Sequence, residues 1–165
     1  MDQQRLNIRE ASTDLDWEQA TALLQRVYVD GGYTAATTAA QFMTRANLGP
    51  AGVLLVAVDT TEDVKGTVLF LHPDSALRQL AHADEREFRM LGVDEAARGS
   101  GVGAQLVEAC VTRAFAEGAH AVVLWTQPSM HSAHRLYARL GFQRVPERDQ
   151  ADARGFTRLV YRRTR

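Results

Sequence analysis

Cysteine, long apolar runs and an excess of positive charge are all lacking in this chain. Its one cysteine, Cys110, excludes an internal disulfide. No apolar run approaches the roughly 20 residues that a membrane-spanning helix needs, and the opening segment MDQQRLNIRE has no apolar signal region. The net charge of −1 gives no general attraction to nucleic acid. We therefore expect a cytoplasmic protein with no membrane or nucleic-acid partner.

The composition is that of an ordinary globular domain. Hydrophobic residues make up 45% and charged residues 24% of 165 residues, which suits one domain spanning 1–165. Apolar periodicity predicts the order β-α-α-β-β-β-α-β-α-β-β, a mixed α/β sheet with helices. The predicted strands are 5–9, 53–58, 66–71, 87–93, 121–126, 142–145 and 157–161. Helical patterns lie around 17–28, 33–47, 102–117 and 133–140. The second and third strands should form an antiparallel hairpin.

The stretch from Glu87 to Gly118 is the most informative part of the sequence. A strand pattern ends at Val93, and a helix follows with one apolar face that includes Cys110. Between them lies Arg-Gly-Ser-Gly-Val-Gly, residues 98–103. Glycines at a helix entrance let the backbone turn sharply and let a ligand approach the main chain. Because the first helical turn has unpaired amides and a partial positive charge, this loop predicts phosphate binding.

Three interpretations compete for this loop on spacing alone. A P-loop is rejected because no Lys follows the glycines. The dinucleotide pattern Gly-x-Gly-x-x-Gly/Ala is matched by Gly99, Gly101 and Ala104, but residues 94–98 separate it from the strand. The strand at 121–126 also ends without an acid to hold a ribose. A glycine-rich turn without any ligand is the third interpretation.

Two motifs resemble the GNAT superfamily of acyl-CoA N-acyltransferases. The segment 98–103, after Leu91-Gly92-Val93, is similar to that family's Arg/Gln-x-x-Gly-x-Gly/Ala signature. The segment 133–142, Ala-His-Arg-Leu-Tyr-Ala-Arg-Leu-Gly-Phe, is similar to its closing Ala-x-x-Leu-Tyr-x-x-x-Gly-Phe. The resemblance implies a mostly antiparallel central sheet flanked by helices, in which two parallel strands, carrying Leu91 and Trp125, splay apart around the thioester end of acyl-CoA.

The resemblance also implies a function. It implies an acetyl-CoA-dependent N-acetyltransferase that transfers an acetyl group to a primary amine of a small molecule or peptide, with no metal. The residues implied for cofactor binding are Leu91, Gly92, Val93, Arg98, Gly99, Ser100, Gly101, Val102, Gly103 and Ala104. Relatives are often dimers, so a homodimer is compatible with the sequence but is not fixed by it.

Two side chains are candidates for proton transfer. The pattern alone favours a half-buried tyrosine in the core, whereas the family match places Tyr137 where a phenol donates a proton to the CoA sulfur. Glu87 lies where some relatives have a catalytic base, and a solvated charge at the start of a strand is the alternative. Strict alternation would put Glu87 on the same face as Leu91 and Val93, but a strand bulge would change that count.

The acceptor is the part that the sequence does not specify. The region 28–47 and the loop before the central strand usually shape it in this family, and Asp74, Asp84 and Glu85 in that loop would either attract a cationic amine or simply be solvated. Met130 stands where many relatives have an Asn that binds the pantetheine arm. That difference motivates an alternative hypothesis, a non-catalytic acyl-CoA-sensing or partner-binding module on the same scaffold.

Overall fold

One mixed sheet organises residues 5–165, which are the residues that the computed structural model describes. The expectation about export rests partly on residues 1–4, which lie outside them. The strand order is β1-β2-β3-β4-β5-β8-β6, with β7 paired to β8. The strands are β1 (Asn7–Glu10), β2 (Gly52–Val58), β3 (Val64–Leu71), β4 (Glu85–Val93), β5 (Ala121–Thr126), β6 (Gln143–Arg144), β7 (Gln150–Ala151) and β8 (Thr157–Thr164). The helices are α1 (Asp14–Asp30), α2 (Ala36–Phe42), α3 (Arg45–Leu48), α4 (Val102–Ala116) and α5 (His131–Arg139).

Helices cover both faces of the sheet, which explains why β2 is apolar throughout and β3 is apolar from Val68 to Leu71, rather than alternating. Leu55 of β2 packs with α4 in one core, while its neighbours Leu54 and Val56 pack with α1 in the other. The predicted β2–β3 hairpin is confirmed, with Leu54 paired to Leu69. Cys110 is fully buried on the inner face of α4, as expected for a structural thiol.

The local start and stop signals explain most element boundaries. Thr13 caps α1 in a reciprocal capping box with Asp16. The single helix predicted over 33–47 is wrong, because the backbone leaves the helical region at Met43 and the chain begins a new helix, α3. The Thr44 side chain accepts the Asn47 N–H there and acts as the new cap.

The pairing of β4 with β5 positions the site. The two strands are parallel, and their register joins only Glu85, Arg86 and Glu87 to residues 121–123. Beyond these pairs they part, so the splay implied by the resemblance is confirmed. Met90 has φ of 59°, and the β3–β4 register skips one β4 residue there. This is the bulge that upsets simple alternation along β4.

Candidate functional site

The loop between β4 and α4 has the backbone shape that glycine permits. Gly99 and Gly101 have φ of 80° and 86°, in the left-handed region that side chains disfavour. Gly103 lies two residues further, in the first turn of α4, and an added Cβ there would come within 3.3 Å of Leu136 Cδ2 on α5. The three glycines thus serve two purposes: two shape the turn, and the third lets α5 approach the start of α4.

The amides of residues 99–104 are available to a ligand. None of them donates to a protein acceptor in the bonds found among residues 5–165, and no side chain caps α4. The Ser100 hydroxyl turns back and donates to the Ala97 carbonyl. The Arg98 side chain is exposed beside this loop. Together the free amides and the cation form an anion-binding helix start.

Two adjoining spaces lead away from this loop. The first, here called the groove, has a volume of about 490 Å³, and its lining includes Leu91, Val93, Arg98, His131 and Ala133. The second, here called the cavity, has a volume of about 260 Å³ and lies between the parted ends of β4 and β5. Both spaces are lined by Tyr28, Leu91, Met130 and Ala133, so they meet at these residues.

Tyr137 lies in the wall of the cavity. It is 5% exposed and packs among Phe88, Phe142 and Tyr161, with ring centroids 5.7 to 6.1 Å away. Its hydroxyl makes no hydrogen bond to any group in residues 5–165. Burial raises the pKa of this phenol well above its usual range. Tyr137 is therefore protonated at neutral pH and has a proton to donate.

Glu87 is buried, but in a different environment from the one predicted. It is 1% exposed, so the alternative of a solvated charge is wrong. Its carboxylate accepts hydrogen bonds from the backbone N–H groups of Gln79, Leu80 and Ala81 at 2.8 to 3.3 Å. It is not in the lining of the groove or the cavity. The structure therefore does not bring Glu87 and Tyr137 together.

The acids of the loop before β4 do not reach the cavity. Asp74 and Asp84 are exposed, as expected for a charged surface loop. Glu85 is 4% exposed and is bound by Arg148 and Arg162 at 2.6 to 3.1 Å. Burial acts to raise the pKa of Glu85, but these two arginines outweigh it and lower the value to about 2. None of the three acids lines the cavity, so none of them would contact an amine held there.

Sequence reasoning missed Arg89, which lines the cavity from β4. The bulge at Met90 is the reason: residues 88–91 all line the cavity, which regular alternation would not allow. The guanidinium lies 5.7 Å from the Trp125 ring, and Trp125 lines the cavity too. The available signal was a charged residue between Phe88 and Met90, in the half of the strand that is otherwise apolar.

Three further residues near the two spaces have distinct surroundings. His131 is exposed and lines the groove, whereas His134 is half-buried, with Nε2 3.0 Å from the Gln127 carbonyl. Met130 stands at the start of α5 and offers no side-chain cap.

Among residues 5–165, no group of three His, Cys, Asp or Glu side chains is arranged to hold a metal. None of the helices in that part of the chain is both long and apolar enough to cross a bilayer.

Comparisons with known proteins agree with this architecture, a mixed α/β sheet that parts beside an anion-binding glycine loop. The family description "Acetyltransferase (GNAT) family" matches residues 13–142. The chain belongs to this family of acetyltransferases. Its mixed sheet and flanking helices are those of solved GNAT acetyltransferases, as the resemblance predicted.

Two solved structures illustrate the likeness of fold. A GCN5-related N-acetyltransferase from Kribbella flavida is 27% identical, with a TM-score of 0.73 over 97% of this chain and 98% of that one. The PaiA N-acetyltransferase from Thermoplasma acidophilum, solved in complex with coenzyme A, is 12% identical, with a TM-score of 0.76 over 98% and 99% of the two chains. At that identity the second match speaks for the fold alone.

One curated relative matches over a shorter stretch. The N-acetylaspartate synthetase of Danio rerio is 38% identical over 72 residues, which are 44% of this chain and 26% of that protein. The matched stretch therefore spans about a quarter of the length of that relative.

Proposed function

We propose that this protein is an acetyl-CoA-dependent N-acetyltransferase that acts on a primary amine of a small molecule or peptide. The observation that carries the proposal is the groove, which begins at Arg98 beside the free amides of residues 99–104 and shares lining residues with the cavity that contains Tyr137. The family membership and a relative named for N-acetylaspartate synthesis support N-acetylation.

The residues present fit coenzyme A. The amides of 99–104, with Arg98, would hold its diphosphate. Beyond Glu87, the edge of β4 that faces β5 has no strand partner in the described residues, so its backbone groups at Leu91 and Val93 are available to a pantetheine arm. The Tyr28 hydroxyl donates a long hydrogen bond, at 3.4 Å, to the Leu91 carbonyl oxygen and so lies at the junction of the groove and the cavity.

The chemistry requires proton transfers at both reaction partners. A primary amine with a pKa near ~10 must first lose a proton. Its nitrogen then attacks the thioester carbonyl, a C–N bond forms, the C–S bond breaks, and the sulfur takes a proton. We assign that last proton to the Tyr137 hydroxyl, which regains one as the attacking nitrogen loses its remaining excess proton. The products are an N-acetylated amine and free coenzyme A.

For Glu87 we propose an anchoring role in place of the predicted role as a base. Its carboxylate oxygens are already occupied, because they accept hydrogen bonds from three backbone N–H groups. The anchored loop carries Gln79, whose Oε1 accepts the Trp125 indole N–H at 2.7 Å. Glu87→Gln should therefore lower stability and leave the pH profile of kcat in place. A base would show the reverse.

The test follows free thiol and product together. Incubation with acetyl-CoA and a broad panel of amines should release thiol in step with acetylated amine seen by mass spectrometry. Calorimetry should show acetyl-CoA binding by itself. Failure to bind acetyl-CoA would contradict the proposal, while binding without any turnover would favour the sensing module that Met130 suggested.

A further inference from the structure

The charge of the cavity indicates what kind of acceptor enters it. Its lining contains two arginines, Arg89 and Arg154, and no Asp, Glu, Lys or His. Its volume of about 260 Å³ lies below the range of about 300 to 1,000 Å³ that is usual for drug-sized ligands. A small acceptor with negative charge fits these two properties better than a polyamine or a long peptide.

Arg154 already has a carboxylate partner in the protein. Its Nε and Nη2 donate to the two oxygens of Asp152 at 2.9 and 3.1 Å. Arg158 donates to the same carboxylate at 2.9 Å. Asp152 is buried, and these hydrogen bonds keep its pKa below the usual range. The pair of arginines around Asp152 therefore leaves one net positive charge beside the cavity.

Arg89 has no such partner. No carboxylate oxygen in residues 5–165 lies within 4.0 Å of it, and its one hydrogen bond, to the Leu77 carbonyl, is long at 3.4 Å. Glu87 is the acid whose charge acts on it, but that carboxylate is occupied by the amides of residues 79–81. Burial lowers the pKa of the Arg89 guanidinium, and the charges of Arg154 and Arg158 act in the same direction. A partly desolvated cation without a paired anion is costly, and a bound anion would remove that cost.

Thr126 is a second unsatisfied polar group in the lining. It is 2% exposed, at the end of β5, and its Oγ1 has no hydrogen-bond partner in the described residues. Buried hydroxyls in proteins are nearly always paired. An acceptor with hydrogen-bonding oxygens would supply the missing partner.

We propose that the acceptor is a small amine that also carries a carboxylate, that is, a free amino acid, and that Arg89 binds the carboxylate. This inference rests on the proposed function, because it concerns the second substrate of the same site. A guanidinium binds a carboxylate through two parallel N–H···O bonds. It would fix the amino acid at one point of the cavity while the amine reaches the thioester near Tyr137. Arg89 is then the residue that determines acceptor specificity.

The first experiment compares matched acceptors with the wild-type protein. Each amino acid of the standard set is assayed beside its carboxamide and its decarboxylated amine, with thiol release as the readout. A charge-assisted hydrogen bond contributes about 1.5 to 3 kcal/mol, so kcat/KM should be roughly 30-fold higher for the acid. Equal or better use of the amide or the amine would overturn the proposal, whatever variants do.

The second experiment uses Arg89→Gln and Arg89→Lys. The Gln variant should raise KM for the amino acid by roughly 30-fold, leave kcat changed far less, and remove the preference over the carboxamide. The Lys variant should keep part of the preference for the acid, because lysine keeps the positive charge but cannot form the two parallel hydrogen bonds of a guanidinium. Arg45→Gln is the control, because Arg45 is exposed on α3 and pairs with Asp14 away from the cavity. A preference that persists in Arg89→Gln would contradict the assignment.

A binding measurement separates this inference from the proposed function. The wild-type protein, saturated with CoA, is titrated by calorimetry with the amino acid that it acetylates fastest and then with the carboxamide of that amino acid. If no turnover is seen, every amino acid and its carboxamide are titrated in turn. Binding of the acid alone, lost in Arg89→Gln, supports the carboxylate site even if acetyl transfer is absent. Turnover of neutral amines with no acid binding would leave the acetyltransferase proposal standing and overturn this one.

Discussion

The two ends of the β4–β5 pair contrast in how their polar groups are satisfied. At the paired end, two arginines bind Glu85 and three backbone amides bind the Glu87 carboxylate, and the one buried polar atom left without a partner in the described residues is Arg86 Nε. At the parted end, Thr126 and Arg89 lack protein partners of comparable quality among residues 5–165, and the Tyr137 hydroxyl has none there. One pair of strands thus combines a closed structural half with a half that awaits ligands.

This contrast teaches where function can be sought in a sheet. Buried polar groups that the protein has satisfied hold the fold together, and those left open in the lining of a cavity are candidates for contact with a substrate. A carboxylate in a central strand is therefore not a catalytic base merely because it is buried. Substitutions that separate the two halves test this view.

The largest effect is expected from Tyr137→Phe at the parted end. Loss of the proton donor to sulfur should lower kcat by about 100-fold, since general acid catalysis contributes at least that much. KM for acetyl-CoA should change little, and steady-state kinetics would show the difference. Tyr161→Phe is the matched control, because Tyr161 packs against Tyr137 but lines neither space. A similar loss in both variants would show a packing effect rather than proton transfer.

Glu85→Gln at the paired end should affect stability and not chemistry. Because its arginine partners are partly exposed, we expect a loss of about 2 kcal/mol in the free energy of unfolding, below that of a fully buried pair. Urea unfolding measures it, and Glu147→Gln, at an exposed site beside Arg148, is the control. A fall in kcat with unchanged stability would contradict the division between the two halves.

The pH dependence of stability gives the same carboxylate a second test. The pKa of Glu85 is lowered from 4.5 to about 2 in the folded protein. Its contribution is therefore fully present above the unfolded pKa of about 4.5 and is lost as the pH falls toward about 2. In Glu85→Gln, that part of the acid destabilisation should disappear. Identical curves of unfolding free energy against pH for wild type and variant would show that Glu85 does not contribute to the acid destabilisation.

The smallest effect is expected from glycines at the two ends of α4. Gly101 and Gly118 both have positive φ, 86° and 91°, so alanine at either should cost about 1 kcal/mol of stability. Only Gly101→Ala should weaken CoA binding, roughly tenfold, because the strained loop must be restored for its amides to reach a phosphate. Calorimetric titration with CoA distinguishes the two variants. Equal CoA affinity in both variants would contradict a role of the glycine loop in CoA binding.

Most of the fold could be predicted because apolar periodicity and glycines mark elements directly. The strand at 121–126, the β2–β3 hairpin and the buried face of α4 were all found this way. The break between α2 and α3 depends on one Thr44 cap in a weakly patterned segment, and β7 has only two residues. Patterns of this length carry too little periodicity to be read from the sequence.

The parts of the site that bind through backbone amides could be predicted from the sequence, whereas the positions of its functional side chains were harder to predict. The glycine loop can be recognised from the order of its residues, and its amides have no protein acceptors among residues 5–165, as phosphate binding requires. Arg89 and the surroundings of Glu87 depend on the bulge at Met90 and on a loop, 79–81, that folds onto β4 from outside the strand. Neither event leaves a local pattern in the sequence.

Amide chemical shifts during a CoA titration test the central claim most directly. In ¹⁵N-labelled protein, the largest changes should fall on the amides of residues 99–104, with smaller ones at Leu91 and Val93. Pantetheine, which lacks the diphosphate, should leave residues 99–104 nearly unchanged. If CoA shifted amides elsewhere and left residues 99–104 in place, anion capture at the start of α4 would be contradicted.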